Sequence, residues 1–339
     1  MLKILADERL PHLQQLFPKP FSVTTYQTDS ELQSLIDFYD ILICRSTLRI
    51  DASLLSNSPI QCVATASSGT CHIDLDYLNA NHINLFDAKG CNAHAVADYV
   101  TSTLAWLEKN VALQGKRSGV IGLGEVGTRV MGRLQSAGYD VTCYDPYRHH
   151  HDFQALSGCD VLCIHPNLHQ LPPYPSVDLI NGDFLSKLKP NVALINASRG
   201  GIVNEVDLLN TKTPIYYCTD VFWREPNINS DIIAFATLCT PHIAGHSIEA
   251  KHNAMISLSV QLHTHFNLPS PIELKQSSDL TPYFQGNKPW QEVVLSRYNP
   301  YAETHVLKNT LNKANAFLTQ RQKHIHRHDF AFYDQSCYN

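Results

Sequence analysis

The segment "SGVIGLGEVGTRVMGRL" constrains this chain more than any other. It sets Gly122-x-Gly124-x-x-Gly127 between an apolar run and a helical pattern. Glycine at the first position permits a tight turn, and at the second a close backbone approach to a pyrophosphate. At the third it permits close packing of helix on strand. The helix N-terminus then faces the negative charge. The next apolar run, "YDVTCYD", ends at Asp145. A carboxylate there accepts hydrogen bonds from ribose hydroxyls and repels a 2′-phosphate, so NAD is expected in preference to NADP. Arg148, close by, points the other way.

A nucleotide unit fills only part of 339 residues, so at least one further domain is expected. Before residue 93 the runs "LKILAD", "DILICR" and "IQCVATAS" alternate with helical patterns such as "SELQSLIDF". Strand and helix alternating at this spacing imply a parallel sheet covered by helices. "AHAVADYVTSTLAWLEKN" reads as a long packed helix joining two lobes. Beyond the glycine segment, "CDVLCIHP", "NVALINAS", "IYYCTDV" and "TLCTPHIA" read as further strands, and "KHNAMISLSVQLHTHF" as a helix. "NLPSPIEL" reads as a linker, followed by a mixed helical and aromatic tail.

Composition narrows the class. An apolar fraction of 44% with 17% charged residues is that of a globular protein, and a net charge of -5 gives no general attraction to nucleic acid or membranes. No run reaches the roughly 18 apolar residues of a membrane span, and "MLKILADERL" lacks a signal-peptide core. Ten scattered cysteines, many in apolar runs, read as reduced thiols of a cytoplasmic protein. No metal site is expected: "CDVLCIH" is more simply a buried strand.

Three residues sit where strands of the nucleotide unit end: Arg199 in "NASRGG", Glu225 in "DVFWREP" and His242 in "TPHIAG". Oxidation of a secondary alcohol needs a base for the hydroxyl proton, a cation to hold the substrate and a carboxylate to orient the base. Arginine, glutamate and histidine supply those types. Each has a duller reading alone, as a capping charge, a turn residue or a strand-end histidine. Their joint occurrence beside a dinucleotide fingerprint favours catalysis.

These stretches resemble the D-isomer-specific 2-hydroxyacid dehydrogenases. Within that family, "RSTLRI", "ATASSGTCHIDLDYL", "GCNAHAVADYV" and "HIAGHSIEAK" resemble the branch that oxidises 4-phospho-D-erythronate with NAD in pyridoxal 5′-phosphate synthesis. The similarity covers roughly residues 1–260. It implies a homodimer and a two-lobed α/β fold: a Rossmann-type NAD lobe, a flavodoxin-like substrate lobe, both doubly wound parallel sheets, and a small C-terminal α+β dimerisation unit. The expected divisions are 1–93, completed by about 242–268, for substrate; 94–241 for NAD; and 269–339 for dimerisation. Position by position, Arg199 and Glu225 become the active-site arginine and acid, and His242 the proton carrier. Asp145, Asp220 and Gly245 line the NAD site. Ser46, Ser67 and His246 touch substrate, and Arg45 offers positive charge for a phosphate, with a surface ion pair as its alternative.

Three positions depart from the family's pattern: Pro166 replaces a threonine near the cofactor, Cys71 an aspartate, and His246 a tyrosine. They bear on affinity more than on reaction class. Of the other histidine clusters, "RHHHD" at 148–152 reads as a solvated loop. "HIHRH" at 324–328 could reach a phosphate in a partner's cleft through Arg327. Two rivals stay open: 3-phosphoglycerate or glyoxylate/hydroxypyruvate dehydrogenase activity on the same scaffold, and a non-catalytic NAD-sensing dimer.

Overall fold

The computed structural model describes residues 1–148, 150, 152–269, 271, 288–324 and 327–331. They fall into two compact units, Met1–Asn92 with Ser247–Ser278 and Ala93–His246 with Asp279–Asn339.

The first unit is a five-stranded parallel sheet of β1 (Leu2–Asp7), β2 (Phe21–Tyr26), β3 (Ile41–Cys44), β4 (Cys62–Thr65) and β5 (Asn84–Asp87). Its order is β2-β1-β3-β4-β5. Alternate side chains of its inner strands feed two cores. Ile4, Ala6, Ile41, Ile43 and Ala64 face one side, and Leu5, Leu42, Cys44 and Val63 the other. Burial on both faces is why β1, β3 and β4 read as unbroken apolar runs. The edge strands β2 and β5 carry no such run, and the sequence pattern passed over them. Helix Ile248–His265 returns to this unit and covers one face with Met255, Leu258 and Leu262. Ser247 caps it, its Oγ accepting the Ala250 N–H at 2.9 Å.

The second unit is a six-stranded parallel sheet of β6 (Arg117–Ile121), β7 (Asp140–Tyr144), β8 (Val161–Ile164), β9 (Val192–Asn196), β10 (Ile215–Thr219) and β11 (Leu238–Cys239). Its order is β11-β10-β9-β8-β6-β7. The chain leaves β6 to one side for β7 and crosses to the other for β8, which opens a crevice at the carboxyl ends of β6 and β8. Helix Ala93–Asn110 packs Tyr99, Val100 and Leu104 against one face of the sheet. A buried ion pair from Asp98 to Arg133 ties it to helix Glu125–Ser136.

The tail was expected as a unit of its own, yet its described residues pack on this second unit. Val294 of helix Trp290–Arg297, with Tyr298 and Phe330, joins the core on one face. Leu307 of helix Tyr301–Asn309, with Ala316 and Phe317 of helix Lys313–Gln322, joins the core on the other. Helices alone appear among the described tail residues, where a mixed α+β unit was expected. Residues 270, 272–287 and 332–339, including half of "NLPSPIEL" and most of the aromatic end, lie outside the described residues. So do His149, His151, Ile325 and His326.

Two further expectations change. Residues 242–246 belong with the second unit and not with the returning segment, because they are bonded to its strand ends. Arg327, raised above as a reach toward a partner's phosphate, is held within its own unit in this chain. It is 6% exposed, donates to the Ala95 carbonyl at 3.0 Å and to that of Ala244, and lies over the Tyr298 ring at 4.6 Å. Among the described residues, no helix is long and apolar enough to cross a membrane.

Candidate active site

The glycine turn follows β6 as the fingerprint requires. Gly122 has φ +83°, a left-handed conformation that a side chain would strain, and a Cβ there would lie 2.8 Å from the Pro166 nitrogen. The backbone leaving β8 therefore crosses directly against the turn. A Cβ on Gly127 would lie 1.8 Å from the Gly122 carbonyl oxygen, whereas nothing lies within 4 Å of one on Gly124. Gly124 is also the N-cap of helix Glu125–Ser136 and provides no side-chain cap. Open space over Gly124 and uncapped first-turn amides fit a pyrophosphate.

Asp145, 9% exposed, braces this turn: Oδ2 accepts the Leu123 N–H at 2.8 Å and Oδ1 the Tyr147 N–H at 3.0 Å. Each oxygen keeps a second acceptor direction for a ribose hydroxyl. Pro166 brings no hydroxyl to this crevice. The preceding His165 has both ring nitrogens buried with no hydrogen-bond partner, and burial pushes its pKa down to about 3.

Arg199, Glu225 and His242 follow β9, β10 and β11, three neighbouring strands. The turn after β9 is shaped by Asn196, whose Nδ2 donates to the Arg199 carbonyl at 3.1 Å and whose Oδ1 accepts from Ser198 N–H and Oγ. Gly200 and Gly201 then let the loop after β10 pack against it. A Cβ on Gly200 would meet the Phe222 carbonyl oxygen at 2.0 Å, and one on Gly201 the Trp223 ring at 2.4 Å. The "RGG" of the sequence is thus a packing requirement that sets the Arg199 turn against the Glu225 loop.

The Glu225 and His242 side chains meet directly: Nδ1 of His242 lies 2.7 Å from Oε2 of Glu225. Oε1 of Glu225 accepts the Phe222 N–H at 2.8 Å. Burial pushes the Glu225 pKa up, but the His242 charge and hydrogen bond, the Phe222 amide and the charge of Arg321 outweigh it, and the net shift is downward. An ionised Glu225 fixes the proton of neutral His242 on Nδ1 and leaves Nε2 free as a base.

His242 has φ 57°, a left-handed conformation that a histidine keeps only when its surroundings hold it. Asp220 is that support. Its carbonyl accepts the His242 N–H at 2.8 Å, and its carboxylate accepts the Ile243 and Ala244 N–H groups, each at 2.8 Å. Thr240 Oγ1 lies 2.7 Å from Asp220 Oδ1 and from the Tyr99 hydroxyl. Burial raises the Asp220 pKa, partly offset by the His242 charge and these donors. Expected as a lining residue of the NAD site, Asp220 spends its carboxylate on the turn that carries His242. Gly245 and His246 lie in the same turn, both partly exposed. The turn is not helical; helix begins only at Ile248.

Of the residues expected to touch substrate, Arg45, with its charge for a phosphate, Ser46 and Ser67 lie on the first unit. Arg45 and Ser46 follow β3, and Ser67 follows β4 on the neighbouring strand. Nε of Arg45 donates to Asp7 at 2.8 Å, a carboxylate shared with Arg9. Arg45 also disfavours the charge of Lys251, whose pKa is lowered by burial first and by Arg45 second. Cys71 is exposed.

Sequence reasoning missed Asn196, Thr240, Glu205 and Arg321. Only Asn196 and Thr240 left a signal, as hydrogen-bonding residues beside the catalytic turns. Glu205, from helix Glu205–Asn210, accepts the Trp223 N–H at 2.9 Å. Its pKa is raised by burial.

With this geometry in place, comparison with known proteins decides the family. The model of the D-isomer specific 2-hydroxyacid dehydrogenase NAD-binding domain matches residues 93–244, and that of the catalytic domain residues 2–114. The chain belongs to the D-isomer specific 2-hydroxyacid dehydrogenases. Its second unit carries the family's NAD-binding domain. It is 50% identical to the erythronate-4-phosphate dehydrogenase of Legionella pneumophila strain Philadelphia 1, over 99% of this chain and 97% of that one. It is 30% identical to the enzyme of that name from Blochmanniella floridana, over 97% and 94%. Among solved structures, the NAD-dependent formate dehydrogenase of Staphylococcus aureus in complex with NAD superimposes with a TM-score of 0.63. That match is 20% identical and covers 79% of this chain and 96% of that one, and it speaks for the family fold.

Proposed function

We propose that this chain oxidises 4-phospho-D-erythronate at C2 to 3-hydroxy-2-oxo-4-phosphooxybutanoate, a step of pyridoxal 5′-phosphate biosynthesis, as a cytoplasmic homodimer. The observation that carries this reading is the 50% identity, across nearly both whole chains, to the Legionella pneumophila erythronate-4-phosphate dehydrogenase. The side chains supply the chemistry. His242 Nε2 accepts the proton of the C2 hydroxyl, and Glu225 stabilises the imidazolium through Nδ1. Arg199 pairs with the substrate carboxylate and the developing carbonyl oxygen. Asp220 holds His242 in place through the backbone. NAD, held by the Gly122–Gly127 turn and Asp145, would supply the hydride acceptor for C2.

Arg45, Ser46, Ser67 and His246 are read as substrate contacts, with Asp145, Gly245 and the three glycines toward NAD. Dimerisation through the tail is favoured by large apolar side chains left in solvent there: Tyr301, Val306, Leu318 and Leu311, the last 99% exposed. The substrate is tested by comparing kcat/KM for 4-phosphoerythronate with that for 3-phosphoglycerate, glycerate and lactate. A preference of 100-fold or more for 4-phosphoerythronate is expected. A preference for an unphosphorylated acid overturns the assignment.

A further inference from the structure

The dyad has a third member, contributed by the tail. Helix Lys313–Gln322 starts at Asn312, whose Oδ1 accepts the Asn315 N–H at 3.0 Å. The helix is anchored by Phe317, which is 1% exposed and meets the Phe222 ring edge-on at 6.2 Å. Phe222 is the residue whose amide holds Glu225. Four residues after Phe317, on the same helix face, comes Arg321. Its Nη1 lies 3.9 Å from Oε2 of Glu225, the oxygen that also receives Nδ1 of His242. The packing of Phe317 on Phe222 therefore places a guanidinium beside the carboxylate of the dyad.

We propose that Arg321 is a positioning residue that keeps Glu225 ionised and the Glu225–His242 pair free of an extra proton, so that His242 can act as a base. This rests on the dehydrogenase reading above. A base in an oxidation must be neutral before it accepts a proton. A carboxylate at 2.7 Å works against that, since it favours the imidazolium. A cation on the same carboxylate oxygen offsets part of this attraction. Arg199, the other cation of the proposed site, is assigned to the substrate carboxylate. The remaining ionisable groups named around the pair among the described residues are acidic or histidine. Asp220 lies behind His242, and Glu205 is close enough to feel the Glu225 charge, which with burial raises its own pKa. The His246 ring packs on His324 at 5.6 Å, with His324 Nε2 3.5 Å from Glu303. Arg321 is the cation that acts on Glu225 from this side.

The sign follows directly. Loss of the positive charge makes proton uptake by the pair easier, so uptake moves to higher pH. The test compares the full-length protein with its Arg321→Gln and Arg321→Lys variants. Two readouts are taken: the acid limb of the kcat/KM profile, and the NMR titration of the His242 ring protons without substrate, assigned with His242→Gln. Arg321→Gln is expected to move both upward by about 0.5–1 pH unit, the size expected of a partly solvated unit charge at this range. Arg321→Lys is expected to move them by less than half as much. The proposal is overturned if neither moves, or if the lysine variant moves as far as the glutamine variant. It is also overturned if only KM for the phosphorylated substrate rises, which would make Arg321 a substrate contact. The ring titration needs no turnover, so a protein inactive on 4-phosphoerythronate would refute the substrate assignment and leave this inference separately measurable.

Discussion

The main-chain N–H of His242 donates to the carbonyl of Asp220 at 2.8 Å, and the Asp220 carboxylate takes the next two amides. One buried residue thus holds His242, the proposed base, in a left-handed conformation through its backbone. Asp220→Asn turns an amide N–H₂ toward backbone donors and leaves at least one of them unpaired. A buried unsatisfied donor costs about 1–3 kcal/mol. A loss of stability of about that size is expected in thermal unfolding, with kcat reduced about 10–100-fold. A variant with normal kcat would show that the turn does not depend on this carboxylate.

Gly127→Ala probes the cofactor turn. Its Cβ would stand 1.8 Å from the Gly122 carbonyl oxygen, so helix Glu125–Ser136 must move away from the turn that its amides serve. NAD affinity measured by calorimetry is expected to fall at least 10-fold. Gly132→Ala, on the same helix with nothing within 4 Å of the added carbon, is expected to leave it unchanged.

Much of this was legible in the sequence, for identifiable reasons. Gly122 and Gly127 are required by contacts that no side chain could survive, and that requirement leaves a fixed spacing. Arg199, Glu225 and His242 could be picked out because strand-end residues of those types stand beside the nucleotide motif. The edge strands β2 and β5 were missed because each has a single neighbouring strand and is only partly buried at most positions, so their residues need not form an unbroken apolar run. The packing of the tail on the second unit was not legible because the burial of Phe317, Phe330 and Arg327 depends on surfaces far away in sequence. The same distance hid Arg321, which lies about a hundred residues from the carboxylate it faces. Asp220 was noticed as an NAD-site residue, but its hold on the His242 turn was not legible, since residue type does not reveal which backbone groups a carboxylate will accept from.

Acid lability is expected in the first unit. His72 is buried, with Nε2 3.0 Å from the Thr65 hydroxyl, and burial lowers its pKa from 6.5 to about 4. The folded state therefore prefers the neutral ring, while the unfolded chain takes up a proton near pH 6.5. Its contribution is fully present above pH 6.5 and is lost as pH falls toward 4, by about 3 kcal/mol at most. Urea unfolding of His72→Gln across that window is expected to show a shallower pH slope than the natural chain. Equal slopes would exclude His72 as a source of acid lability.

Leu311, fully exposed between two tail helices, is the sharpest probe of self-association. Leu311→Glu is expected to shift the sedimentation mass from dimer toward monomer at micromolar concentration while leaving the unfolding temperature of the second unit within a few degrees. An unchanged mass would contradict the proposed dimerisation through this part of the tail.

The account turns on His242 Nε2 as the base, oriented through Nδ1 by Glu225 at 2.7 Å. The most direct test follows NAD reduction by 4-phosphoerythronate in the natural chain and in His242→Gln, with NAD binding measured on the same samples. The expected result is a fall in kcat of about 10³-fold, within the range for loss of a general base, with NAD affinity within about threefold. Turnover retained within tenfold, with NAD bound normally, would contradict the assignment.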